Sequence, residues 1–460
     1  MTDTTGISQS SSSSSRLKQR HIMMIALGGA IGAGLFVGSS AVIAAAGPAA
    51  LLAFVAVGLL VMFIMRMLGE MVSANPGKGS FVEYIRAAHG SGAAFTAGWL
   101  YWFFWVVALG SEAIAGAILI HEWINLPVWV LAASLIIMLK LINLAAVHIF
   151  GECEFWLSAI KVVSIILFVT AGVLYIAHVF GPGAPVMQNL LGHGGVFPHG
   201  MTAMISIIPS ILFTMIGSEI ATVAAGESAE PARNVARVTR TIGIRLTLFN
   251  SLSIALILLI VPWSDAVPGH SPFVQALQIM GIPGAALGMK IVVLTAVLSC
   301  MNSSLYITSR VLAELARNND APAFLRRRPQ QHSPVNAIIA NSVVGGIISF
   351  SSILAPGTVF AFLLSCSGGV ILLVYSLIVT SYLVLRRQAT GREQRACFRI
   401  PFFPAINILT LGGVIVIFAA MFLDPMQRMV AIASLGTSIF FVLIHVGRTR
   451  LAGQSRSRPP

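Results

Sequence analysis

Five ionisable residues stand inside stretches that are otherwise apolar. They are Glu112 in WLYWFFWVVALGSEAIAG, Lys140, Lys161 in GECEFWLSAIKVV, Glu219 in FTMIGSEIATVAAG, and Lys290. A charge in hydrocarbon-like surroundings is costly, and such residues mark proton relays, ion paths or ligand contacts. Low-dielectric surroundings bring amines and carboxyls closer to titrating at neutral pH, so such a group can load and release a proton. Lys161 and Glu219 are the first candidates for that chemistry. Glu112 could equally satisfy a neighbouring helix, and Lys290, near the outer end of its stretch, has the reach to snorkel. A second chemical feature is glycine. GGAIGAG, residues 28–34, carries Gly28, Gly29, Gly32 and Gly34, and Gly217 precedes Glu219. Each glycine costs a helix interior roughly 1 kcal/mol relative to alanine, so both places are weak points.

The elements around these residues are membrane spans. Of 460 residues, 57% are hydrophobic and 9% charged, against about 25% charged in a soluble domain. Apolar runs long enough to cross a hydrocarbon core of about 30 Å recur along the chain. A β-barrel would instead show short alternating segments. Twelve spans are expected, near 21–45, 48–73, 92–119, 127–147, 153–180, 201–225, 240–262, 284–316, 335–354, 357–385, 402–423 and 427–447. The net charge of +13 is a topology signal, not a nucleic-acid footprint: of 28 basic residues only Lys140, Lys161, Lys290 and Arg428 fall outside one set of alternate loops and tails. The positive-inside rule then puts both termini in the cytoplasm. Residues 1–20, polar and Ser-rich with no cleavable signal pattern, read as a disordered cytoplasmic tail, and 449–460 as a basic one. Trp123, Trp129 and Trp263 fall near outer span ends and read as interfacial anchors. Cys153, Cys300, Cys366 and Cys397 are scattered without metal or disulfide spacing, and no HExxH occurs. No cofactor is expected.

The weak points lie in spans 1 and 6, five spans apart. Interrupted helices at matching positions point to two inverted repeats, spans 1–5 and 6–10, with a binding site between them. Unpaired backbone groups cost several kcal/mol each in hydrocarbon, so a break needs something polar to fill it. A half-helix N-terminus offers N–H groups to a carboxylate, and a half-helix C-terminus offers carbonyls to an ammonium group. Two adjacent breaks can thus hold both ends of an amino acid. Glycines also let helices pack closely, so GGAIGAG alone leaves both readings open. A dinucleotide loop is excluded by spacing and by the lack of a preceding strand.

The chain resembles bacterial amino-acid permeases of the amino acid–polyamine–organocation superfamily, and within it the γ-aminobutyrate (GABA) permease group. The resemblance runs from about Leu17 to about Arg448. It rests on LKQRHIMMIALGGAIGAGLFVGSS, IMRMLGEM, PGKGSF, GWLYWFFWV, FGECEFWLSAIKV, IGSEIATVAAGESAEPARNV, LSCMNSSLYITSRVL and NNDAPAF. It implies a leucine-transporter-type fold of 5+5 inverted repeats in 21–400, two accessory helices in 401–448, and proton symport of an amino acid by alternating access across the inner membrane. Residue by residue, it implies that Ile31, Gly32, Ala33 and Gly34 hold the substrate carboxylate through backbone N–H groups. Phe213, Thr214, Ile216 and Gly217 supply carbonyls for the amino group and an aromatic gate, with Phe104 and Tyr306 as further substrate contacts. Lys161 stands where sodium-driven relatives have a sodium site, Glu219 matches a carboxylate tied to proton sensing, and Asn302 faces the lysine. Glu112 is counted with the coupling residues. Cys366 and Gly369 in span 10, and the small residues around Glu112, depart from the family pattern and are expected to alter the side-chain pocket. In the loop after span 6, Glu227 and Arg233 could add to an inner gate.

Readings from other classes are weaker. A channel would need a filter-like signature or a ring of charges, and a membrane enzyme a nucleophile with its base; neither is visible. An exchanger on the same fold is the serious rival. The expected partners are a small amino acid, the proton and the lipid bilayer, with no nucleic acid.

Overall fold

The computed structural model describes residues 19–75, 80–144, 147–217, 219–220, 222, 231–326, 333–388 and 399–456. Every regular element among them is helical. Among the described residues, nine helices are long and apolar enough to cross a membrane, and three shorter apolar helices cover Val128–Leu144, Gly200–Met215 and Ala405–Ala420.

In chain order, α1 (Gln19–Ala30) is followed by two non-helical residues, Ile31 and Gly32. A π-type turn, Gly34–Gly38, then feeds α2 (Ser39–Ala46). After α3 (Ala49–Ala74), α4 runs Phe81–His121 and is longer than expected. It absorbs a kink at Gly90, φ 85°, and its start is capped by Ser80, whose hydroxyl accepts the Val82 N–H at 3.3 Å. Then come α5 (Val128–Leu144) and α6 (Val147–Ile176). Short α7 (Val186–Leu191) precedes the second interrupted helix, α8 (Gly200–Ser206) and α9 (Ile208–Met215). The chain continues with α10 (Pro231–Ile260), short α11 (Pro272–Ile279), α12 (Ala285–Arg317), α13 (Val335–Phe350), α14 (Pro356–Gln388), α15 (Ala405–Ala420) and α16 (Pro425–Arg456).

Packing sorts the helices into an inner and an outer set. Around Gly28–Gly38, α4 and α12 are buried along most of their middle turns, including Tyr101, Phe104, Glu112, Ser299, Asn302 and Tyr306. In α16, by contrast, Met429, Phe440 and Leu443 are exposed, as a lipid-facing surface requires. α3 packs on α10, α4 on α12 and α14, and α5 on α13. The broken helices meet at the centre.

That meeting depends on glycine. Gly217 has φ 128°, and a Cβ there would lie 2.6 Å from the Ala30 nitrogen and 2.8 Å from the Gly29 carbonyl carbon. Both neighbours are backbone and cannot rotate away. Gly217→Ala is therefore expected to lose folded protein: a φ that side-chain-bearing residues rarely adopt costs about 1–3 kcal/mol, and the clash adds to it. Gly412→Ala, in open space on α15, serves as the control. Thermal unfolding in detergent should show a lower Tm for the first and none for the second; equal Tm values would refute the contact.

Candidate functional site

The break in span 1 has two ends, and each meets a buried charge of the sign it favours. The C-terminal turn of α1 leaves carbonyls without helical partners and carries the negative end of the helix dipole. Lys161 of α6 fills it: Nζ donates to the Gly28 carbonyl at 2.5 Å and the Ile31 carbonyl at 2.8 Å. The N-terminal end of the next half-helix presents N–H groups, and the carboxylate of Glu112 accepts the Ala33 N–H, 3.0 Å from each oxygen. Both charged side chains are fully buried.

The glycines make these approaches possible. A Cβ on Gly28 would overlap Ser158 and lie 2.7 Å from Glu154 Oε1. One on Gly32 would overlap Glu112 and sit 2.9 Å from Cys300 Sγ. One on Gly34 would fall 2.8 Å from the Phe213 ring and 3.2 Å from Thr214.

In span 6 the helix ends at Met215, and Ile216 is extended at φ −78°, ψ 148°. Glu219 folds back onto the break: it accepts the Gly217 N–H at 3.0 Å through one oxygen and the Tyr101 hydroxyl at 3.3 Å through the other. Thr214 returns its hydroxyl to the Ile211 carbonyl at 2.7 Å. Phe213 faces Phe104, with ring centroids 6.1 Å apart. Gly29, Gly32, Gly34, Phe104, Glu112, Phe213 and Ile216 enclose a cavity of about 10 Å³, room for about one water. An amino acid enters only if these elements separate.

The structure thus brings Ile31, Gly32, Ala33, Gly34, Phe213, Thr214, Ile216, Gly217, Phe104 and Glu112 to one place, with Lys161 and Glu219 behind the two breaks. Asn302 hydrogen-bonds Glu154 and Asn143. Tyr306 stacks parallel on Phe150, with ring centroids 4.2 Å apart, and the Arg310 guanidinium carbon lies 3.9 Å from the Tyr306 ring centroid. Gly369 does not border the pocket; it packs against Ser434, Val430 and Met421 of the accessory region. Lys290 reaches Glu122 at 2.5 Å, so its charge is paired. Glu227, Cys397 and the side chain of Arg233 lie outside the described residues.

Sequence reasoning missed Glu154. It is fully buried on α6, where it accepts from Ser158 at 3.2 Å, from Ser299, and from Asn302 Nδ2 at 3.2 Å. Asn302 Oδ1 in turn accepts from Asn143 Nδ2 at 2.7 Å. The signal was present: Glu154 precedes Lys161 by seven residues, two helical turns, and so shares its face. A second group was also missed. Arg86 of α4 pairs with Asp320 beyond α12 at 2.5 Å, and Glu83 accepts Asn318 Nδ2 at 2.7 Å. These bonds clasp the start of α4 to the chain just beyond the end of α12.

Apolar spanning helices, two central breaks and buried charges define a multi-pass membrane transporter. Solved structures agree on the fold: a manganese transporter of Eremococcus coleocola superposes with TM-score 0.58 at 14% identity, over 96% of this chain and 97% of that one. The family is shown by sequence. The amino acid permease family model matches residues 21–450, and the chain belongs to that family. It is 42% identical to the gamma-aminobutyric acid permease of Bacillus subtilis, over 96% of each chain. It is 38% identical to the Escherichia coli protein of the same name, over 91% of this chain and 90% of that one. The aromatic amino acid transport protein AroP of Corynebacterium glutamicum is 34% identical over 90% of each. These relatives are permeases, not enzymes, and the chain is an amino-acid transporter.

The Glu154 cluster makes a stability prediction. Glu154→Ala strips the acceptor from Ser158, Ser299 and Asn302, at about 1–3 kcal/mol for each buried group left unpaired. Its Tm in detergent should fall by several degrees, and Glu154→Gln, which keeps one acceptor oxygen, should fall less. Equal Tm values for wild type and the alanine variant would sink the network.

Proposed function

We propose that the protein imports GABA, or a closely related amino acid, across the bacterial inner membrane by proton symport with alternating access. The substrate lies between the two breaks, its carboxylate toward the N–H groups at Ala33 and Gly34 and its ammonium toward the carbonyls around Phe213 and Ile216. Phe213 and Phe104 close over it. The relatives named as GABA permeases support the substrate. The pairings α3 with α10, α4 with α12 and α5 with α13 join spans 2 and 7, 3 and 8, 4 and 9. Together with breaks in spans 1 and 6, they support twelve spans built as a 5+5 inverted repeat in 21–400, with two accessory helices in 401–448. The bias of basic residues supports cytoplasmic termini.

The observation that carries the coupling is Lys161. Its ammonium occupies the carbonyls of Gly28 and Ile31, oxygens that would otherwise suit a metal cation. A fixed positive charge there disfavours sodium and leaves the proton as the coupling ion. When the lysine is neutral, those carbonyls lose their partner and the break is free to rearrange. Glu219, bound to Gly217 and Tyr101, links the second break to α4.

Reconstituted in liposomes, the protein should take up labelled GABA saturably under an inward proton gradient, and an uncoupler should abolish accumulation. Uptake that requires internal amino acid would identify an exchanger, and linear flux a channel. Lys161→Ala should reduce gradient-driven accumulation at least tenfold while affecting binding less, an order of magnitude that corresponds to about 1.4 kcal/mol; unchanged accumulation would remove Lys161 from coupling. Gly34→Val should abolish uptake because the added methyls collide with Phe213, and wild-type rates in that variant would move the substrate elsewhere.

A further inference from the structure

The N–H group that the substrate carboxylate needs already has a carboxylate on it. Both oxygens of Glu112 lie 3.0 Å from the Ala33 nitrogen, and Glu112 is fully buried beside the small central cavity. It comes from α4, far from this backbone in sequence, and it enters over Gly32, where any Cβ would overlap its oxygen. The half-helix N-terminus is therefore capped by the protein itself in the closed state.

We propose that Glu112 is a built-in stand-in for the substrate carboxylate, and that the exchange of one for the other is a step at which a proton is taken up. This rests on the reading of the chain as an amino-acid symporter with its carboxylate site at Ala33 and Gly34. The argument is steric and electrostatic. Two carboxylates cannot both accept the same N–H, so substrate entry expels Glu112 from it. The expelled group stays within the same water-poor cavity, beside a second negative charge, where like charges strongly disfavour double ionisation. The charge balance is simple: Glu112 carboxylate plus one proton from solution becomes a neutral carboxyl, and the substrate carboxylate takes over the N–H. The neutral carboxyl then has an O–H to donate to the substrate oxygen. The ionisable groups acting on Glu112 are the Cys300 thiol from α12 and the Lys161 ammonium from α6. Span 1 and span 6 offer it backbone and apolar groups: the Ala33 N–H, Phe213 and Ile216. Lys161 is already committed to Gly28 and Ile31, and Cys300 shares its sulfur contact with the Gly29 carbonyl at 3.5 Å. Neither replaces the missing proton.

The sign follows. Where Glu112 is already protonated, at low pH, no proton is needed and binding is strongest. As pH rises, each bound substrate must bring a proton, and the apparent Kd weakens by about tenfold per pH unit.

The test is calorimetric titration of the purified wild-type protein between pH 5 and pH 8, in buffers of different ionisation enthalpy. The ligands are GABA, butyrate, which has the carboxylate alone, and butylamine, which has the ammonium alone. GABA and butyrate should each bind with uptake of about one proton at the upper end of that range, and butylamine with none. Glu112→Gln should bind GABA with no proton uptake and with a pH-independent Kd. GABA binding without proton uptake in the wild type, or proton uptake retained in the glutamine variant, overturns the proposal but leaves amino-acid transport standing. Proton uptake triggered by butylamine also overturns it, since Glu112 would then answer the ammonium. Absence of GABA binding at every pH counts against the substrate reading instead; butyrate still reads the swap in wild-type protein, whether or not the variant folds.

Discussion

A helix that unwinds inside a bilayer exposes backbone groups that lipid cannot pair, and the rest of this structure is arranged around that debt in span 1. Lys161 supplies donors to Gly28 and Ile31, and Glu112 supplies an acceptor to Ala33. One charge sits at the carbonyl end of one half-helix and the other at the N–H end of the next, so each agrees with the local dipole. Neither contact forms unless α4 and α6 come within hydrogen-bond reach of the span 1 backbone. Glycines at 28 and 32 permit that approach.

The second break is closed differently. Glu219 belongs to the same segment and folds back on the Gly217 N–H, so span 6 satisfies itself locally and uses Tyr101 only as a tether. Span 1 depends on two other helices. Motion of α4 or α6 therefore acts directly on span 1, whereas span 6 can move with its own cap. The Glu154 cluster extends the dependence, since Asn302 and Asn143 bind α12 and α5 to the helix that carries Lys161.

Much of the architecture was legible from residue order. Long apolar runs, the asymmetry of basic loops and the two glycine-marked weak points are local properties, set by hydrophobic length, by charge counting and by the intrinsic cost of glycine in a helix. Among the described residues there are nine long apolar helices and three shorter ones, with non-helical residues at 31–32 and 216–217. Glu154 was overlooked although it shares a helix face with Lys161, because GECEFWLSAIKVV reads as the polar start of a span until its depth is known. Tyr306 was expected beside the substrate, and its ring stacks on Phe150, a choice of helix face that spacing alone leaves open. Gly369 was expected at the pocket and meets the accessory helices, for the same reason.

By itself the sequence determined which residues could carry charge into the membrane and where helices would fail, because ionisation, chain length and glycine content are written residue by residue. It also determined the family. Tertiary structure alone decided which charge meets which break. Lys161 and Glu112 lie 49 residues apart in the chain and meet opposite ends of one interrupted helix only because α6 and α4 bring them within hydrogen-bond reach of its backbone. Partner choice among buried polar groups is set by distances of about 3 Å between helices, and no one-dimensional pattern records them.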